Sequence, residues 1–131
     1  MKPLKSFLVI VAGLSLQGLT AAADAPPQGA DTPTARAVFV LPVKGTIDQS
    51  MLYVFRRAFR EIDRIKPSAV ILEMDTPGGR LAETREILQW LRSLRPATPV
   101  YSFVNPDAYS AGAILCLGTQ RIFMSPGSNI G

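Results

Sequence analysis

The sequence predicts an α/β domain with a mainly parallel sheet built from βαβ units. Three observations carry that expectation. Short apolar runs rich in β-formers, "AVFVLPV", "AVILEMDT", "VYSFV" and "RIFM", recur along residues 37–124. Stretches with apolar residues at three- and four-residue steps separate the first three of them. The strand–helix spacing suits crossover connections, which join parallel strands in a right-handed sense.

The 131 residues are 47% hydrophobic and 18% charged, which suits about one domain. "MKPLK" is a short positive region, "FLVIVAGLSLQGL" an apolar core, and "TAAAD" a run of small residues before a polar start. This three-part pattern reads as a secretory signal peptide over 1–23, cleaved after Ala23, with an uncleaved N-terminal anchor as the alternative; either implies export to a periplasmic or extracytoplasmic space. The apolar core is shorter than the roughly 20 residues of a spanning helix. "DAPPQGADTPTAR", residues 24–36, has no periodicity and reads as a flexible linker.

The domain expected over 37–131 opens with "AVFVLPV", a buried strand ended at Lys44-Gly45. Asp48 is placed to cap a helix whose inner stripe is Met51, Leu52, Phe55, Phe59, Ile62 and Ile65, with Arg56, Arg57, Arg60 and Arg64 off the stripe. Pro67 ends it. "AVILEMDT" is the second strand and "PGG" a turn. "LAETREILQWLRSL" is the second helix, with Leu81, Ile87, Leu88, Leu91 and Leu94 inward and Trp90 at the rim. "VYSFV" is the third strand, "NPDAYS" a loop, "SAGAILCLGT" a short helix of small residues, and "RIFM" a fourth strand before "SPGSNIG".

Composition excludes several classes. The net charge is +4, yet without Lys2 and Lys5 there are 12 basic residues against 10 acidic. No basic run with interleaved aromatics argues for nucleic acid. There is no histidine, so these residues build neither a Ser-His-Asp triad nor a His-ligated metal site. The single cysteine, Cys116, allows no internal disulfide and reads as a small core residue. No metal or cofactor is expected.

Two loops fall at the carboxyl edge of the sheet, where α/β sites form: "DTPGGR" and "NPDAYS". The glycines of "PGG" turn sharply and leave backbone N–H groups uncovered, ready to receive an oxyanion. Ser110 stands at the start of a helix, where unpaired N–H groups favour negative charge. Alone, Ser110 reads as a helix N-cap and "PGG" as a turn. On neighbouring βα units they form a sensible arrangement for acyl transfer. "MSPGSNIG" brings a further Pro-Gly turn to the same edge, with Asn129 helping to shape it.

Strand–"DTPGG"–helix, strand–"YSAG"–helix and then "MSPGSNIG" resembles the ClpP-like serine proteases of the NfeD type, over about Val38 to Gly131. The resemblance implies a ClpP/crotonase fold and a Ser-Lys dyad. It implies Ser110 as nucleophile, Gly79 and Ala111 as oxyanion-hole N–H donors, and Gly78 as the residue shaping the turn. It further implies a peptide or protein substrate, specifically the hydrophobic segment of a stomatin-like membrane protein, together with homo-oligomerisation. No lysine follows Ser110 in the sequence. The expectation is therefore that these residues are the front part of a longer membrane-associated protease whose lysine lies further on, and are inactive alone. A non-catalytic ClpP-fold scaffold and a crotonase-type acyl-CoA enzyme are the alternatives, the latter disfavoured by the export signal.

Overall fold

A computed structural model describes residues 9–10 and 37–131. The signal-peptide and linker readings of 1–23 and 24–36 lie outside the described residues, apart from Val9–Ile10. In chain order the elements are β1 (Val9–Ile10), β2 (Val38–Lys44), α1 (Gln49–Ile65), β3 (Ala69–Thr76), α2 (Leu81–Leu94), β4 (Val100–Ala108), α3 (Ala111–Leu117), β5 (Arg121–Met124) and β6 (Asn129–Ile130). The sheet runs β1-β2-β3-β4-β5, with β6 also paired to β4. β1 is antiparallel to β2, and every other pairing is parallel. Among the described residues no helix is long and apolar enough to cross a membrane.

Sequential parallel strands joined by right-handed crossovers put their helices on one face of the sheet. The strand residues facing that layer are buried: Phe39, Leu41 and Val43 on β2, then Val70, Leu72 and Met74 on β3. Burying a side chain of this size stabilises the fold by about 2 kcal/mol relative to leaving it exposed. The opposite face carries a shallow cavity of about 500 Å³ lined by Val40, Ile71, Glu73, Tyr101, Phe103 and Phe123.

α1 starts where the Asp48 carboxylate accepts the N–H groups of Ser50 and Met51 at 2.8 and 3.2 Å. Met51, Leu52, Phe55, Ala58 and Ile62 are its buried line, with Phe59 and Ile65 half-buried. The helix stops as Lys66 turns left-handed at φ 48° and donates its N–H to Ile62 C=O. Pro67 follows, and proline disfavours helical backbone in the residue before it. Arg56 pairs with Glu86 of α2 at 2.9 Å and lies over the Tyr53 and Trp90 rings.

Two expectations are corrected. Leu81 is 59% exposed rather than inward. It is the first residue of α2, and the buried line begins at Glu83 and Thr84 and continues through Ile87 and Leu91. The expected loop "NPDAYS" is mostly strand: β4 continues through Ala108. Its end has partners on both sides, since Ala108 pairs with Thr76 of β3 and, with Asp107, with β6. Those bonds satisfy backbone groups that a loop would leave to water. Only Tyr109 and Ser110 separate β4 from α3.

Candidate active site

The turn after β3 is stitched to the segment that leads into α1. Thr76 Oγ1 accepts the Gly78 N–H at 3.0 Å. Ile47 N–H donates to Gly78 C=O and Arg80 N–H donates to Ile47 C=O, both at 2.8 Å. Along extended backbone the N–H and C=O groups of successive residues face opposite edges. Gly79, between the two bonded residues, therefore turns its N–H away from Ile47, towards the side on which β4 and α3 lie. A Cβ on Gly79 would come within 2.1 Å of the Ile47 carbonyl oxygen, so only glycine fits this approach. Gly78 has φ +100°, a region that favours glycine.

Ser110 sits on the short turn between β4 and α3 with φ 51° and ψ −115°. This conformation is sparsely populated for a residue with a side chain and costs on the order of 1–3 kcal/mol. The backbone around it is fixed at each step. Tyr109 N–H donates to Thr76 C=O at 3.0 Å, Ser110 N–H to Gly131 C=O at 2.5 Å, and Gly112 N–H to Tyr109 C=O at 2.8 Å. Ser110 occupies the N-cap position, yet its side chain makes no capping hydrogen bond. The hydroxyl stands on an exposed residue at a strained strand-to-helix turn, the geometry by which a nucleophilic serine is presented on α/β folds.

Gly78, Ser110 and Ala111 come together, with Gly79 the next residue along the chain from Gly78. A Cβ on Gly78 would stand 2.8 Å from Ser110 Cβ and 3.1 Å from the Ala111 nitrogen. Neither the Gly79 nor the Ala111 N–H donates to any group among the described residues. Two backbone donors, one on the turn after β3 and one at the start of α3, thus lie uncommitted among the described residues, an arrangement suited to a negatively charged oxygen.

The two lysines among the described residues, Lys44 and Lys66, lie elsewhere. Lys44 ends β2, two strands from β4, and pairs with Glu73 at 3.3 Å; Lys66 pairs with Asp63. Cys116 is buried in the core, and that burial pushes its thiol pKa up, against the opposing hydrogen bond with Ser102. Among the described residues no cluster of His, Cys, Asp or Glu could hold a metal ion. The sequence reading missed that Asn129–Ile130 form a strand and that Gly131 accepts the Ser110 N–H. A two-residue strand has no periodicity to announce it.

Residues 37–131 match the family model described as NfeD1b, N-terminal domain. Membrane protein NfeD1b of Bacillus subtilis (strain 168) is 28% identical over 134 residues, covering 100% of this chain and 28% of its own length. Membrane-bound protease PH1510 of Pyrococcus horikoshii is 35% identical over 97 residues, covering 72% of this chain and 22% of its own. Two solved mutants of the 1510-N membrane-bound stomatin-specific protease match over 72% of this chain. One, a lysine-to-alanine mutant in complex with a substrate peptide, has TM-score 0.66, 35% identity and 43% of its chain covered. The other, a serine-to-alanine mutant, has TM-score 0.62, 32% identity and 46% of its chain covered. The ClpP protease catalytic domain of Plasmodium falciparum matches at TM-score 0.57 and 10% identity, over 64% of this chain and 53% of that one, and shares the fold. The chain spans less than a third of the length of these two curated relatives and under half of these two solved 1510-N chains. With residues 37–131 matched and a ClpP-like fold behind them, the chain belongs to the family of NfeD1b N-terminal domains.

Proposed function

We propose that this chain is the nucleophile-bearing part of an exported, membrane-associated serine endopeptidase. The observation that carries the reading is the strained, uncapped Ser110 beside two uncommitted N–H groups. Ser110 Oγ attacks the carbonyl carbon of the scissile peptide bond. The N–H groups of Gly79 and Ala111 hold the oxyanion that forms, in the turn shaped by Gly78. A serine hydroxyl needs a base, and none of this chain's lysines follows Ser110. A lysine from sequence beyond Gly131 takes the hydroxyl proton and delivers it to the leaving amine. Water then attacks the acyl-enzyme ester and restores the free serine. The serine-to-alanine and lysine-to-alanine mutants of the 1510-N protease support this pairing of residue types.

The substrate is a hydrophobic peptide segment of a stomatin-like membrane protein; the stomatin specificity and substrate peptide named for the 1510-N protease support a stomatin-like peptide. The protein works on the extracytoplasmic side of the membrane as a homo-oligomer, with the first 23 residues as its export signal. The test is cleavage of a hydrophobic peptide by the full-length protein and its Ser110→Ala form. Cleavage lost in the variant at unchanged thermal stability supports the proposal. Undiminished cleavage by Ser110→Ala overturns it. The 131-residue chain by itself is expected to be inactive.

A further inference from the structure

Taking Ser110 as the nucleophile, we propose that Asn129 is a positioning residue that keeps it in its left-handed conformation. The turn before β6 is fastened to β4 by three side chains. Ser125 Oγ donates to Asn105 Oδ1 at 3.1 Å, Ser128 Oγ to Val104 C=O at 2.9 Å, and Asn129 Nδ2 to Asp107 Oδ1 at 2.9 Å. Asn129 and Asp107 are also register partners in the β4–β6 pairing. Beyond that pair, Gly131 N–H donates to Ala108 C=O at 3.1 Å, and Gly131 C=O accepts the Ser110 N–H. A short path of bonds therefore runs from Asn129 through β6 to the backbone of the serine.

An ordinary N-cap residue has β-region backbone and turns its hydroxyl back to the helix N–H groups. Ser110 has neither feature. Slackening β6 lets Ser110 relax towards that capping state, with its hydroxyl committed to α3 and withdrawn from the substrate. Both partners of the Asn129–Asp107 bond lie at the surface, away from the core cluster. Its loss is therefore expected to reach the chemistry before the stability of the fold. Sub-ångström placement matters there, since a misplacement of about 1 Å can cost on the order of 100-fold in rate.

The experiment uses the full-length protein and measures acylation by a fluorophosphonate probe, together with kcat and KM for a hydrophobic peptide. Asn129→Asp sets two carboxylates face to face, and Asn129→Ala removes the donor. Each is expected to lower the acylation rate and kcat by about tenfold with KM and Tm unchanged. The swap Asp107→Asn with Asn129→Asp reverses donor and acceptor and is expected to restore the rate. Wild-type rates in both single variants, or a swap that restores nothing, overturns the positioning role. Ser110→Ala in the same assay separates the two claims. If Ser110→Ala is unlabelled while Asn129→Asp acylates normally, only the Asn129 inference falls; if Ser110→Ala is still labelled, the nucleophile assignment falls with it.

Discussion

Gly78 leaves no room for a side chain against Ser110: a Cβ on Gly78 would lie 2.8 Å from Ser110 Cβ and 2.7 Å from the Tyr109 carbonyl oxygen. The glycine also holds φ +100°, so a side chain is excluded twice over, by conformation and by space. Gly78→Ala is expected to destabilise the domain by about 1–3 kcal/mol and to displace the serine turn. Urea denaturation with acylation kinetics of the same variant checks both effects. Wild-type values in both would mean that the two loops are not coupled.

Gly79 meets a different neighbour. A Cβ there would collide with Ile47 backbone, so Gly79→Ala is expected to break the Ile47 hydrogen bonds that aim the loop. Loss of one oxyanion donor costs on the order of 100-fold in kcat. Peptide cleavage by the full-length variant is expected to fall by that order with Ser110 intact. A change confined to KM would argue that the Gly79 N–H binds substrate without stabilising the oxyanion.

Cys116 offers a control on which side chain is reactive. The thiolate is the nucleophilic form of cysteine, and burial raises the Cys116 pKa, so the thiolate is depleted at neutral pH. Iodoacetamide is expected to leave the folded protein unmodified at pH 8 and to alkylate it fully in denaturant. Fast alkylation of the folded protein would contradict the packing of α3.

The sheet face that no helix covers among the described residues predicts association. Phe123 is exposed on β5 and lines the apolar cavity together with Tyr101 and Phe103. Exposed apolar edge strands pair readily with other chains. The 131-residue chain is expected to self-associate with rising concentration in sedimentation velocity, and Phe123→Lys to shift it towards monomer. A monodisperse monomer with wild-type Phe123 would contradict this.

Much of the fold was legible because breakers and periodicity agreed. "AVILEMDT" and "LAETREILQWLRSL" are β3 and α2 residue for residue, each bounded by proline or glycine turns. Asp48 caps α1 as its position suggested. What failed had its cause far along the chain. The strand state of Asn105–Ala108 depends on pairing with β3 and β6, which local sequence with a proline in it does not announce. Leu81 obeys helical spacing yet sits at the helix start, where that spacing alone does not secure burial. At the site, the glycines and the small helix brought Ser110 into view. Its left-handed backbone was hidden, because a serine before "AGAIL" has the local signature of an N-cap. The tertiary bonds from Gly131 and the room left by Gly78 set it otherwise.

That Ser110 is a nucleophile is tested most directly by treating the full-length protein with a fluorophosphonate and mapping the adduct by peptide mass spectrometry. A single adduct on the peptide carrying Ser110, absent after heat denaturation and absent in Ser110→Ala, is the expected result. An unlabelled native protein that still cleaves peptide, or an adduct at any other residue that survives Ser110→Ala, would contradict it.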